Sequence, residues 1–228
     1  MSKYFFLHIP KTAGTSFRKM LNKQFSNQEI FPNERLIKQL GGYPFFNELE
    51  EKYKEKLAMA TLLVGHYPFS AYKSFCEDTE LLSFYREPVQ RVISFLNYYK
   101  SVDKRYIDSS FEMIFEKEIG QISNVQVKMT SGIYNDRNQS RVDIAIQNLK
   151  KLDFIGLSED FENSVRIAEL KFGWNLGKIK KVNITPSKSS ISSVLIQKII
   201  DYNAEDLIFY EEVKRQYALQ CEKYLTVR

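Results

Sequence analysis

Apolar positions along the chain fall into short continuous runs separated by stripes at helical spacing. Residues 3–9, Lys-Tyr-Phe-Phe-Leu-His-Ile, form one such run and end at Pro10. Its length and aromatic content predict a strand buried on both faces, since such a strand shows no alternation. From Ser16 to Phe25 the apolar residues fall at 17, 20, 21 and 25, the spacing of one helix face. Residues 27–48 are mixed and turn-rich, with Pro32, Gly41, Gly42 and Pro44. Residues 48–60 read as one helix, 61–64 as a short strand running into Gly65 and His66, and 68–75 as a short helix. A third buried strand is expected over 80–85, closed by Arg86-Glu-Pro88. Pro88 suits the first turn of a helix, where its missing N–H is no loss. That helix runs to about Lys100, with Val92, Phe95, Leu96 and Tyr99 on one face.

Beyond it, 103–152 reads as mostly helical and irregular, 154–157 as a fourth strand, and Ser158-Glu-Asp160 as a helix start. A polar loop follows over 182–193, then one or two amphipathic helices over 194–225. Strands alternating with helices predict an α/β fold: a P-loop-like three-layer arrangement with a central parallel sheet flanked by helices. With 228 residues and no internal repeat or linker, a single domain over 1–228 is expected.

Composition narrows the chemistry. Net charge is +5, from 33 basic and 28 acidic residues. That suits the holding of a small polyanion more than nucleic-acid binding, which calls for a dense basic surface. No acid lies between Glu169 and Asp201, while Lys171, Lys178, Lys180, Lys181, Lys188 and Lys198 fall inside that stretch. Such a run reads as a solvated face, with an anion-facing loop as the second reading. Two cysteines, Cys76 and Cys221, and two histidines offer almost no ligands for structural zinc. Reduced thiols are expected over a single disulfide. No stretch reaches the ~18 apolar residues of a membrane span. The Met1 start so close to the first motif makes a cytoplasmic chain without signal peptide the expectation, either free or peripheral at a membrane.

The strand–turn–helix at the start is an anion site in outline. A helix N-terminus aims free N–H groups and a positive dipole end at the loop before it. Gly14 allows close backbone approach, Thr12, Thr15 and Ser16 offer hydroxyls, and Lys11 adds a charge. The triphosphatase signature GxxxxGK[ST] fails because Lys11 precedes Gly14, and GxGxxG is absent.

His8-Ile-Pro-Lys-Thr-Ala-Gly-Thr-Ser16 resembles the 5'-phosphosulfate loop of carbohydrate sulfotransferases, above all the heparan sulfate 2-O-sulfotransferase branch and its bacterial relatives. Ser83-Phe-Tyr-Arg-Glu-Pro-Val-Gln-Arg-Val-Ile-Ser94 is similar to that family's 3'-phosphate motif, an Arg ending a strand and a Ser eight residues on. The resemblance implies transfer of a sulfuryl group from 3'-phosphoadenosine-5'-phosphosulfate (PAPS) to a hydroxyl acceptor, leaving 3',5'-ADP, with no metal. By the same resemblance, Lys11 serves the leaving group. Lys11, Thr12, Ala13, Gly14, Thr15 and Ser16 hold the 5'-phosphosulfate. Arg86 and Ser94 grip the 3'-phosphate, and His66, at a strand end, is the base. The segment from Ser123 to Gly132 looks like a family stretch near cofactor or acceptor, with a polar surface loop as the other reading. Asn183, Thr185, Ser187 and Lys188 resemble the late loop over the nucleotide's 3' side.

The family commonly has Asp or Asn where this chain has Glu87, whose longer side chain is expected to cap a helix less well. Arg91 is open between a surface or helix-pairing role and contact with cofactor or substrate. His8, on the strand itself, reads as structural or as a support behind the site's contact residues. Aromatics around 43–46 and 95–106 suit either sugar stacking or core. The implied partner is a hydroxyl-bearing saccharide, glycolipid or small alcohol. Two rivals stand beside this reading: a phosphoryl-transfer kinase, and a nucleotide- or glycan-binding module without catalysis.

Overall fold

The computed structural model describes residues 2–75, 78–134, 140–178 and 191–226. The strands are β1 (Lys3–Leu7), β2 (Ile30–Phe31), β3 (Leu62–Gly65), β4 (Thr79–Tyr85) and β5 (Phe154–Leu157). The helices before β4 are α1 (Gly14–Gln24), α2 (Glu34–Leu40), α3 (Phe46–Lys52), α4 (Lys54–Met59) and α5 (Ala71–Phe75). After β4 come α6 (Pro88–Val102), α7 (Phe111–Lys117), α8 (Ile119–Ile122), α9 (Val125–Ser131) and α10 (Arg141–Leu149). Beyond β5 lie α11 (Phe161–Phe172), α12 (Ser193–Tyr202) and α13 (Ala204–Leu225).

The strands make one five-stranded sheet in the order β2-β3-β1-β4-β5. Every pairing is parallel. Adjacent residues of β1, β3 and β4, which point to opposite faces, are alike buried, so helices cover the sheet on both sides. The expected three-layer α/β architecture is therefore present. Leu7 pairs with Gly65 on one side and with Ser83 on the other. The carboxyl ends of β3, β1 and β4 thus lie side by side, and Ser83 Oγ ties two of them by donating to the Leu7 carbonyl at 3.0 Å.

A second hydrophobic cluster stands apart from the sheet core. Val92, Phe95 and Leu96 of α6 pack there with Ile114 and Phe115 of α7 and with Leu195 and Ile199 of α12. The predicted face of α6 is the face that forms this cluster, with Tyr99 packed against its margin.

Three expectations change. The turn-rich stretch 27–48 contains β2 and α2, the latter capped by Asn33 Oδ1, which accepts from the Leu36 N–H at 3.0 Å. The single helix over 48–60 is two, because Tyr53 leaves helical geometry at φ −124° and ψ 14°. The segment 123–132 is not a surface loop: it contains α9, in which Val125, Gln126, Val127, Met129 and Thr130 are buried.

Candidate anion-binding active site

The loop between β1 and α1 is shaped by two left-handed residues, Lys11 at φ 69° and Ala13 at φ 67°. Such conformations are costly for residues with a Cβ and occur where surrounding structure imposes them. Alternating handedness turns successive N–H groups to one side, which makes an anion-binding concavity. At the start of α1 the N–H groups of Gly14 and Thr15 have no carbonyl one turn back, and no acid lies in the first turn. Thr15 is exposed and Ser16 half-buried. Thr12 is fully buried, and its hydroxyl donates to the Ile9 carbonyl at 2.9 Å, so it braces the loop from beneath. Position 14 must be glycine for a steric reason: a Cβ there would lie 2.0 Å from His8 Cδ2. The Lys11 ammonium sits 4.0 Å from the centre of the Tyr98 ring. Burial, then the neighbouring Arg86 charge, lowers its pKa.

Arg86 leaves the tip of β4 one strand away, and its Nη1 donates to the Lys11 carbonyl at 3.4 Å. Its backbone is held on both sides by Gln126 of α9. Gln126 Oε1 accepts from the Arg86 N–H at 2.9 Å, and Gln126 Nε2 donates to the Arg86 carbonyl at 2.9 Å. Gln126 is itself fixed by Asp206 of α13, whose carboxylate accepts from the N–H groups of Gln126 at 3.2 Å and Val127 at 2.8 Å.

Glu87 caps α6 better than its length suggests. Its two carboxylate oxygens accept separately from Val89 N–H at 3.0 Å and Gln90 N–H at 2.7 Å. Ser94 is half-buried on the same helix. Arg91 is not a surface residue: it is fully buried and Nη2 donates to the Ile122 carbonyl. Asp206 and Arg86 share its electrostatic neighbourhood, while its Nε and Nη1 have no partner among the described residues.

His66 follows Gly65 at the tip of β3. Its Nδ1 lies 2.6 Å from the His8 carbonyl. A carbonyl only accepts, so Nδ1 carries the proton and Nε2 the free lone pair. The residue keeps solvent access while the protein around it lowers its pKa below 6.5, through burial first and the Arg18 charge after it. The bond to the His8 carbonyl opposes this shift. His8 is inside the site rather than merely under it, its ring centre 4.6 Å from that of His66. Tyr43 packs edge-on against both histidine rings. Its hydroxyl accepts from Arg18 Nη1 at 2.8 Å, and Arg18 Nη2 donates to the Pro32 carbonyl at 2.6 Å.

No family model matches the chain. An uncharacterized protein of Archaeoglobus fulgidus is 23% identical over 259 residues, covering 93% of this chain and 96% of its own. The crystal structure of a sulfotransferase from Alicyclobacillus acidocaldarius aligns with a TM-score of 0.49 and 14% identity, covering 96% of each chain. Neither assigns a family to this chain.

Of the residues singled out from sequence, the structure brings the 11–16 loop, His66 and Arg86 to one edge of the sheet. Among the described contacts none joins Ser94 to Arg86. Asn183, Thr185, Ser187 and Lys188 lie outside the described residues, as does Cys76; Cys221 is a free thiol. Of the late lysines, Lys171 pairs with Asp153 at 3.6 Å and Lys198 with Glu116 at 3.1 Å, so the run is neutralised at both ends. Arg18 and the buried role of Gln126 escaped the sequence reading, which had Tyr43 only as an aromatic for sugar stacking or core. For Arg18 the available signal was a cation inside the apolar stripe of α1. No described helix is long and apolar enough to cross a membrane.

Proposed function

We propose that the chain is a sulfotransferase that moves a sulfuryl group from PAPS to a hydroxyl acceptor, a saccharide or glycoconjugate. The observation that carries this is the meeting of three groups on adjacent strand ends: the Lys11 loop on β1, His66 on β3 and Arg86 on β4. A donor with phosphate at two positions needs two separate cationic grips, and the loop and Arg86 supply them, with Arg86 Nη1 against the Lys11 carbonyl at 3.4 Å. The crevice at the carboxyl ends of parallel strands is where open α/β sheets bind nucleotides.

PAPS would supply the sulfuryl group, which leaves the bridging oxygen of the 5'-phosphate for the acceptor oxygen. The chain's own residues do the rest. The N–H groups at the start of α1 and the Lys11 ammonium stabilise negative charge growing on the departing phosphate. His66 Nε2, its proton fixed on the opposite nitrogen, takes the acceptor's hydroxyl proton. Arg86 offers a planar fork suited to bidentate phosphate binding.

Gln126 sets where that fork starts. Gln126→Leu is expected to leave the Arg86 N–H and C=O unpaired, costing about 1–3 kcal/mol of stability. It should weaken 3',5'-ADP binding more than binding of 5'-AMP, which lacks the 3'-phosphate. Parallel calorimetric titrations check this, and an equal loss for both ligands would place Gln126 elsewhere.

The reading as a whole is tested with radiolabelled PAPS and a panel of saccharides, glycolipids and small alcohols, with and without chelator. Label should pass to a hydroxyl compound regardless of chelator. Binding of 3',5'-ADP with no transfer of label to any acceptor would point instead to the binding-module reading, activity that chelator removes to the kinase reading, and failure to bind 3',5'-ADP would overturn the proposal.

A further inference from the structure

We propose that His8 is a neutral hydrogen-bond donor built into the floor of the phosphate loop, with its Nε2–H offered to the bound anion and its carbonyl holding the base. The orientation is the one in which Tyr43 Oη, already accepting from Arg18, gives its own proton to its other hydrogen-bond neighbour, His8. Arg18 has donors and no acceptor. Its Nη1 lies 2.8 Å from Tyr43 Oη, so Tyr43 accepts there and has its own proton to give. His8 Nδ1 lies 3.2 Å from the same oxygen and receives that proton's bond. A neutral imidazole accepting at Nδ1 carries hydrogen at Nε2.

The Nε2 edge is where the loop is tightest. A Cβ on Gly14 would fall 2.4 Å from His8 Nε2, so this edge rests on the first residue of α1. His8 is only 5% exposed, and its described side-chain hydrogen bond is at Nδ1, to Tyr43. An anion in the loop would give the Nε2–H a charged acceptor. A doubly protonated His8 would require Tyr43 Oη to accept from both neighbours. It would also stand with its ring 4.6 Å from that of His66, which is to receive a proton. Burial and the charges of His66, Arg18 and Lys11 all favour the neutral ring. His8 therefore acts as a positioning residue with two outputs: its ring toward the anion, its carbonyl toward His66 Nδ1.

That the anion is the 5'-phosphosulfate of PAPS rests on the function proposed above; the tautomer does not. Imidazole-nitrogen NMR of the full chain, labelled at its two histidines, should show His8 Nδ1 unprotonated and Nε2 protonated. The Nε2–H signal should move on addition of 3',5'-ADP. His8→Leu is expected to weaken 3',5'-ADP binding about tenfold or more, the loss of one bond to a charged group. His8→Gln, which keeps an N–H at similar reach, should restore most of it. An Nδ1–H tautomer, an Nε2–H signal indifferent to ligand, or unchanged affinity in folded His8→Leu would each overturn the inference. The wild-type spectrum decides even where His8→Leu does not fold. A signal that moves with pyrophosphate in a chain that does not bind 3',5'-ADP would keep the inference and overturn the sulfotransferase reading.

Discussion

Replacing Lys11 with alanine is expected to slow sulfuryl transfer about a hundredfold to a thousandfold, the range seen when one preorganised donor to a developing charge is removed. Binding of 3',5'-ADP should fall far less. The α1 N-terminus and Arg86 still hold a ground-state phosphate, whereas the ammonium matters most as charge builds on the departing oxygen. The backbone adds a control. Lys11 sits at φ 69°, a conformation glycine adopts freely. Lys11→Gly should therefore be no less stable than Lys11→Ala, and as slow. Lys11→Arg restores charge but presents a planar fork where a point charge is needed, so recovery should be partial. Single-turnover rates beside equilibrium titrations separate the two effects. Equal losses in rate and binding would show that Lys11 is an anchor only.

His66→Ala is expected to lower kcat about a hundredfold to ten-thousandfold, the span of general base catalysis, with 3',5'-ADP affinity unchanged. The pH profile gives a sharper test. The base works only when neutral, and burial with the nearby Arg18 charge lowers its pKa below 6.5. Lowering the pKa widens the range over which the ring is neutral. The rate should hold level as pH falls through 6.5, with its acid limb at lower pH than a free imidazole gives. His66→Ala should remove that limb. A limb at or above pH 6.5 in the wild type would mean that another group, or a differently placed His66, sets it.

What could be read from sequence was whatever the pattern encodes locally. The run over 3–9, Pro10 and Gly14 specify strand, turn and helix within a few residues, and β5 falls where its apolar run lies. Helix α2 was missed because it is seven residues long: Leu36, Ile37 and Leu40 fall at helical spacing, but over two turns that is too little to stand out between Pro32 and Gly41. Its signals were at the ends instead: Asn33 as cap and Gly41 at φ 70°. Strand β2, two residues long, is below any periodicity. The site divides the same way. The motif residues at strand ends could be placed, because position in a parallel sheet says which edge they face. Their supports could not. Gln126 meets Arg86 across 40 positions and Arg91 meets Ile122 across 31, and side-chain bonds to distant backbone leave no period in a sequence.

Because β1 and β3 end level and the adjacent β4 runs two residues further, the sheet is a ruler for the chemistry. Neighbouring strands are spaced at roughly 4.8 Å, so the proposed base on β3 and the proposed grip on β4 start about two such steps, ~10 Å, apart across the sheet, with Arg86 set further along the strand direction. Side-chain substitutions adjust that span only by the reach of one residue. Loops around the acceptor can diverge freely, but a donor of a different length would need a different strand order.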